Sequence, residues 1–296
     1  VTQKQLSKRH HYLPRFLLKG FAMDDGRLWV YDKTTAMFWK APASPKQIFW
    51  RQDQNTFQIG DVTSDFLEEI YSKIDDDVAP LHAALIKRSG PISLSLEEVV
   101  QLIKFIAISY YRVPLNDQFI RNYVSSNPPQ KLGFRIINKS TPNNPVSADV
   151  YEAITSEPAF IESYRISKAL LELLAYAENV TVDNWILAAP TKLNGVGLIG
   201  DNPVILRQEF TGFIVLHELV MPISKHHVVY HITGKKPVQL SPEHKLKIDL
   251  CQILQAERYV CGANREYMQT LINYIALPEH KLTIERVTND LFKDFE

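Results

Sequence analysis

The chain has 296 residues, 45% of them apolar, which is enough to bury a sizeable core in one large domain and too apolar for general disorder. Lys+Arg and Asp+Glu both number 33, so no global field draws in nucleic acid or an acidic membrane, and any such contact has to be local. Two cysteines, Cys251 and Cys261, in a stretch that reads as one helix, lie too far apart to pair. With no signal-peptide pattern and no apolar run long enough to span a membrane, the expectation is a soluble cytoplasmic protein.

Residues 1–23 contain no carboxylate and carry Lys4, Lys8, Arg9, Arg15 and Lys19, a local basic patch that ends at the Asp24-Asp25-Gly26 turn. Leu28–Tyr31 and Met37–Trp39 flank Asp32-Lys33 as a β-hairpin, and Gln47–Arg51 adds a third short strand. From Phe66 the period becomes helical through Leu85, with Pro80 placed to kink or split the helix. Ser95 and Glu98 form a capping box between Leu94 and Val99, and the helix that follows is apolar on most sides until Arg112, as suits a central helix.

A short helix is predicted over Asp117–Val124, loop over 126–147, and a long helix from the Ser156-Glu157-Pro158 start to Glu178. Strands follow at 184–187, 196–199, 203–206, 212–216 and 228–230. Ser241-Pro242 opens a helix that Gly262 stops, and helices near 266–275 and 284–292 close the chain. The sum is one α+β domain over 1–296: an N-terminal short β-hairpin region (1–60), a central helical bundle (61–180), a C-terminal antiparallel β-rich region (181–240) and flanking helices (241–296).

Chemistry-bearing residues concentrate in few places. In His10-His11-Tyr12-Leu13-Pro14-Arg15-Phe16 an imidazole can act as base, ligand or phosphate contact, and Arg9 and Arg15 can hold an anion in two-pronged fashion. Adjacent histidines cannot share a strand face, so one of the pair faces any site. Gly200-Asp201-Asn202-Pro203 places a carboxylate between two strands, where it suits a metal or acid–base role, or an ordinary turn. His227 and His231 on one strand would stand roughly 13 Å apart, too far to share a metal, and read as structural or surface residues along with His226. Glu68, Glu69 and Asp75–Asp77 read mainly as a solvated helix face. Arg112 either caps the carbonyls of its own helix or reaches into a polar pocket. The motifs of dinucleotide, P-loop, α/β-hydrolase and HExxH zinc sites are all missing from the sequence.

The run from His10 to Ala22, followed by Leu28-Trp29-Val30-Tyr31-Asp32-Lys33, resembles the opening of the domain of unknown function 4238 family of bacterial proteins. Phe105-Ile106-Ala107 with Arg112-Val113-Pro114 is similar to that family's central helix. Gly200-Asp201-Asn202-Pro203-Val204 and Val220–Ser224 are similar to its later segments, although Gly200 stands where the family has serine. The resemblance raises the weight on His11, Arg112 and Asp201 and supplies no activity.

The leading expectation is a metal-dependent phosphodiester hydrolase, nuclease-like. Asp201 holds a divalent metal and acts with His11 in catalysis, while His10, Arg15, Arg112 and Asn202 contact a nucleic acid or nucleotide. The alternative is a non-enzymatic sensor or scaffold of a bacterial accessory or defence system, engaged with a protein partner. A nucleotide- or small-molecule-binding enzyme with Arg15 and Arg112 as anion contacts is a third possibility. The test set by these expectations is whether His11, Arg112 and Asp201 converge.

Overall fold

A computed structural model describes residues 9–59, 62–89, 92–127, 132, 137, 144, 146–178, 181–189, 196–208, 212–236 and 240–296. In chain order the elements are β1 (Arg9–His11), α1 (Arg15–Lys19), β2 (Trp29–Asp32), β3 (Met37–Phe38), β4 (Trp50–Gln52), β5 (Phe57–Ile59), β6 (Val62–Ser64), α2 (Phe66–Leu85), β7 (Ile92–Ser93), α3 (Leu96–Arg112), α4 (Asp117–Ser126), α5 (Ala148–Ser156), α6 (Pro158–Glu178), β8 (Trp185–Ala188), β9 (Leu198–Gly200), β10 (Ile205–Leu206), β11 (Leu219–Pro222), β12 (Val228–His231), α7 (Pro242–Gln255), β13 (Tyr259–Gly262), α8 (Arg265–Ala276) and α9 (Ile284–Lys293).

The class is α+β, with two main antiparallel sheets. One runs β10-β11-β12-β8-β7 and the other β3-β2-β13-β9, while β1-β4 and β5-β6 are two-stranded. The Ser95 capping box forms as expected, with Ser95 Oγ accepting the Glu98 amide and Glu98 accepting the Ser95 amide. Behind it α3 is buried almost all round, from Val99 through Phe105 and Ile106 to Arg112, and packs against α2 and α6. Leu13, Leu17, Leu18 and Phe21 join this core completely buried, so residues 13–21 are packed into the body. Each such side chain contributes about 1.5–3 kcal/mol on leaving water. A second apolar cluster lies between the sheets and α7–α9, built around Val220, Tyr230, Ile248, Val260, Leu291 and Phe292.

Four expectations are corrected. The stretch holding both cysteines is not one helix: α7 ends at Gln255, and Tyr259–Gly262 form β13, the strand between β2 and β9. Cys251 and Cys261 therefore sit on different elements, both buried and free. The 241–296 subregion is thus not purely helical. Residues 214–216 form a 3-10 turn, not a strand. Pro80 lies inside α2, which continues unbroken through it, and α5 occupies a stretch where no helix was predicted. The expected loop at 126–147 falls largely outside the described residues.

The corner between α7 and β13 is held by charge of both signs. Lys33, just after β2, donates from Nζ to the last carbonyls of α7 and its turn: Ile253 at 2.7 Å, Leu254 at 3.2 Å and Ala256 at 2.5 Å. That places a cation on the negative end of the helix dipole. Asp201, just after β9, takes the next three amides, Glu257 on Oδ1 at 2.8 Å and Arg258 and Tyr259 on Oδ2 at 2.8 and 2.9 Å. Asp32 binds Arg258 through Nε at 3.2 Å and Nη2 at 3.1 Å.

Along α7 a polar stripe three residues apart serves the free edge of β9 and the loop beyond it. Asp249 accepts the Leu198 amide at 3.1 Å, Gln252 accepts that of Gly200 at 3.0 Å and donates to the Pro203 carbonyl at 2.9 Å, and Gln255 donates to the Asn202 carbonyl. The helix thereby covers an edge that would otherwise present unpaired backbone. A Cβ on Gly200 would lie 2.6 Å from the Gln252 carbonyl oxygen, so the close approach of α7 explains glycine at this position.

Asp201→Ala strips three amides of their charged acceptor and is expected to cost about 3 kcal/mol in urea unfolding. An unchanged unfolding midpoint would show that the corner is held by something else. Gly200→Ser, although it restores the serine of the resembling family, is expected to lower the melting temperature here.

Candidate functional site

On β1 the two histidines part company. His10 is fully buried, and its Nδ1 accepts the Asn55 amide at 2.8 Å. It is a fold contact, which does not fit the substrate contact expected of it. His11 points the other way and lies within the electrostatic reach of Arg15 and Arg112. Its ring is hydrogen-bonded to the backbone of Lys46 and Pro45, while Nε2 is buried with no partner among the described residues. Burial, then the positive charges of Arg15 and Arg112, push its pKa down to about 4, so the ring is neutral at pH 7.

Arg112 is 2% exposed at the very end of α3. Its guanidinium lies over the Tyr71 ring, 4.4 Å from the centroid. Nη1 donates to Asp75 Oδ2 at 3.0 Å, and Nη2 stands 3.9 Å from Glu68 Oε2. Arg112 thus turns its guanidinium to carboxylates of α2 in a buried ion pair. Burial pushes the Asp75 carboxyl up, opposed by Arg112 and reinforced by Glu68 and Asp76. Glu68 also accepts from Asn55 Nδ2 at 2.7 Å, and Gln54 Nε2 donates to the Arg112 carbonyl at 3.3 Å.

One polar cluster thus draws on β1, the segment after β4, α2 and the end of α3. Three of its buried polar atoms have no hydrogen-bond partner among the described residues: His11 Nε2, Gln54 Oε1 and Arg112 Nε. Buried polar atoms are nearly always satisfied, so these atoms, like others elsewhere in the protein, retain hydrogen-bonding capacity that water or a polar ligand can meet.

Asp201 and Asn202 are not part of this cluster. Side chains alternate along the N-terminal segment: His11 feels the charges of Arg15 and Arg112, while Tyr12 on the opposite side feels that of Asp201. The Asp201 carboxylate is 4% exposed and engaged by three amides. Burial pushes its pKa up and those amides pull it down, with Lys33 adding to the pull. Three of the roughly four acceptor positions of this carboxylate are taken by backbone donors, two of them on Oδ2, which disfavours a metal-ligand role. Among the described residues no three His, Cys, Asp or Glu side chains gather as a metal site. The carboxylates that do accompany His11 and Arg112 are Glu68 and Asp75, which the sequence presented as a solvated face. Their positions three before and four after Tyr71 put all three on one stripe of α2, the signal that could have separated them from their neighbours.

The remaining histidines take structural roles. His227 Nε2 donates to the Arg88 carbonyl at 2.8 Å and His231 Nδ1 to that of His217 at 2.8 Å. His231 ends β12 and His227 immediately precedes it, and both are buried. No helix among the described residues is long and apolar enough to cross a membrane.

The comparisons with known proteins agree with the order of motifs. The model of a family described as "Protein of unknown function (DUF4238)" matches residues 9–266. No curated protein and no solved structure matches.

Burial holds His11, His82, His226, His227, His231 and His244 below the ordinary histidine range. As pH falls the unfolded chain takes up protons first, near pH 6.5. Stability is therefore whole above about pH 6.5 and is lost toward pH 4. His11→Asn removes one of these groups and is expected to flatten the fall of melting temperature across that window. Parallel curves for the two proteins would contradict the depressed pKa of His11.

Proposed function

The chain belongs to the DUF4238 family of proteins of unknown function, and from that premise we propose that its N-terminal site binds and hydrolyses a phosphodiester. The observation that carries this proposal is the set of unpartnered buried atoms around His11 and Arg112, with exposed Arg15 beside them. A phosphodiester supplies acceptor oxygens to Arg15 and to Arg112 Nε, and an arginine fork matches that geometry. The ligand sits on the His11–Arg15 side, because Asp75 and Glu68 hold the other side of the Arg112 guanidinium.

His11 is the proton acceptor. It is uncharged at neutral pH, and its Nε2 has no competing donor. In the step proposed, the water oxygen bonds to phosphorus while one of its protons passes to His11 Nε2. The ester oxygen leaves with its electron pair and is reprotonated from solvent. A bound anion offsets the charges of Arg15 and Arg112, which strengthens His11 as a base once substrate is in place. Asp201 has no role in this scheme, and no metal is assigned.

The test is hydrolysis of an activated phosphodiester, bis-(p-nitrophenyl) phosphate, alongside binding of the same ester at low temperature. His11→Asn is expected to lower kcat at least 100-fold with binding retained. Arg15→Gln is expected to raise KM about tenfold. The acid limb of kcat/KM should fall near pH 4, the pKa to which His11 is pushed in the free protein. Saturable binding without turnover would leave the sensor alternative in place of the enzyme. Absence of both binding and turnover, or wild-type turnover in His11→Asn, would overturn the proposal.

A further inference from the structure

We infer that the outer face of β1–β4 is a nucleobase-stacking subsite centred on Trp50, so that the phosphodiester ligand is a single-stranded nucleic acid. The inference rests on the proposed phosphodiester site and names its substrate class. In the register of β1 and β4, His11 lies opposite Trp50 and Arg9 opposite Gln52. Residues directly opposite in an antiparallel pair point to the same side, as do residues two apart on one strand. Arg9, His11 and Trp50 therefore share one face, and the Arg9 guanidinium carbon stands 4.6 Å from the Trp50 ring centroid. His10 and Arg51 share the opposite face, where Arg51 meets Glu257 at 3.7 Å.

Trp50 is only half-buried, and its indole N–H donates to the Gln47 carbonyl at 3.1 Å, which fixes the plane of the ring. A tryptophan held in plane, stacked by an arginine and opposite the proposed proton acceptor can present a flat aromatic surface to a base. The charge around it is complementary to a phosphate backbone. Arg9, Arg15, Lys19 and Lys46 are exposed, and residues 9–23 contain no carboxylate. A base on Trp50 places its own phosphate toward Arg9 or toward the His11–Arg15 site, in the alternation of stacking platform and basic groove used for single strands. A duplex cannot use this surface without unstacking a base, because its base faces are covered.

The experiment compares three probes by fluorescence anisotropy or competition: a short labelled oligothymidylate, the same sugar–phosphate chain without bases, and the oligothymidylate annealed to its complement. Wild-type protein should bind the single strand at least tenfold more tightly than the baseless chain or the duplex. Trp50→Ala should remove most of that margin and leave the baseless chain bound as before, while Trp50→Phe should restore it. Thermal melts of both variants confirm that the fold is kept, and the phenylalanine variant, which retains a ring, keeps the test decisive if the alanine variant does not fold. Equal affinity for single strand and baseless chain, or an unchanged margin in Trp50→Ala, would overturn the stacking subsite. Failure of the phosphodiester site itself reads differently: Arg15→Gln would then leave the baseless chain bound at wild-type affinity.

Discussion

The corner where α7 turns into β13 is the constraint on which the rest of this structure depends. A helix ends there with unsatisfied carbonyls, and the chain leaves with unsatisfied amides. Lys33 answers the first and Asp201 the second, from the ends of the two strands that flank β13. The consequence reaches the N-terminus. Tyr259, the first residue of β13, packs edge-on against Phe49 at 6.3 Å, and Phe49 against Tyr12 at 5.9 Å, while the Tyr12 amide donates to the Phe49 carbonyl. With Tyr12 turned toward this corner, strand alternation turns His11 away from it, within the electrostatic reach of Arg15 and Arg112.

Arg112 supplies the second constraint, and it is electrostatic. An arginine this buried is tolerable because Asp75 and Glu68 meet it on one side and Tyr71 lies beneath its plane. Removing either the arginine or Asp75 would strand a charge, so these residues are fold and site at once. Arg15, by contrast, is exposed and can be altered with little structural penalty, as can the orphaned Nε2 of His11. The division decides which substitutions report on ligand and which report on folding.

Local chemistry was the legible part of the sequence. The Ser95 capping box, the all-round apolar α3 and the Ser156-Glu157-Pro158 helix start were read directly, because each is a signal carried by a few adjacent residues. The order of segments that resemble a family pointed to convergence of His11, Arg112 and Asp201, and Asp201 lies apart, bonded to the amides that leave α7. β13 was missed because Tyr259-Val260-Cys261 follows a helix with no glycine or proline between them, and three apolar residues fit either period. The true helix stop is tertiary: Lys33 and Asp201 end α7 from more than fifty positions away in the chain. Glu68 and Asp75 were missed for a related reason. A carboxylate on a helix looks solvated until its partner is known, and theirs comes from the far end of α3.

Asp201 shows how a carboxylate between strands can be misjudged from its neighbours. Its sequence context, Gly-Asp-Asn-Pro, by itself favours a turn over a metal ligand, and the donors that decide its role arrive from α7's exit. Three amides aimed at two oxygens make a site for a carboxylate, not a site offered by one. The N-terminal cluster has the reverse character, since its donors and acceptors outnumber their partners. A buried polar group whose partners are all in place holds a fold together, and one left over, as at His11 Nε2 and also at Asn202 Oδ1 and Tyr230 Oη, has capacity that water or a ligand can meet. By that criterion the two histidines of one short strand differ: His10 is bonded to the Asn55 amide as part of the scaffold, and His11, whose Nε2 has no partner among the described residues, is the one proposed to meet a ligand.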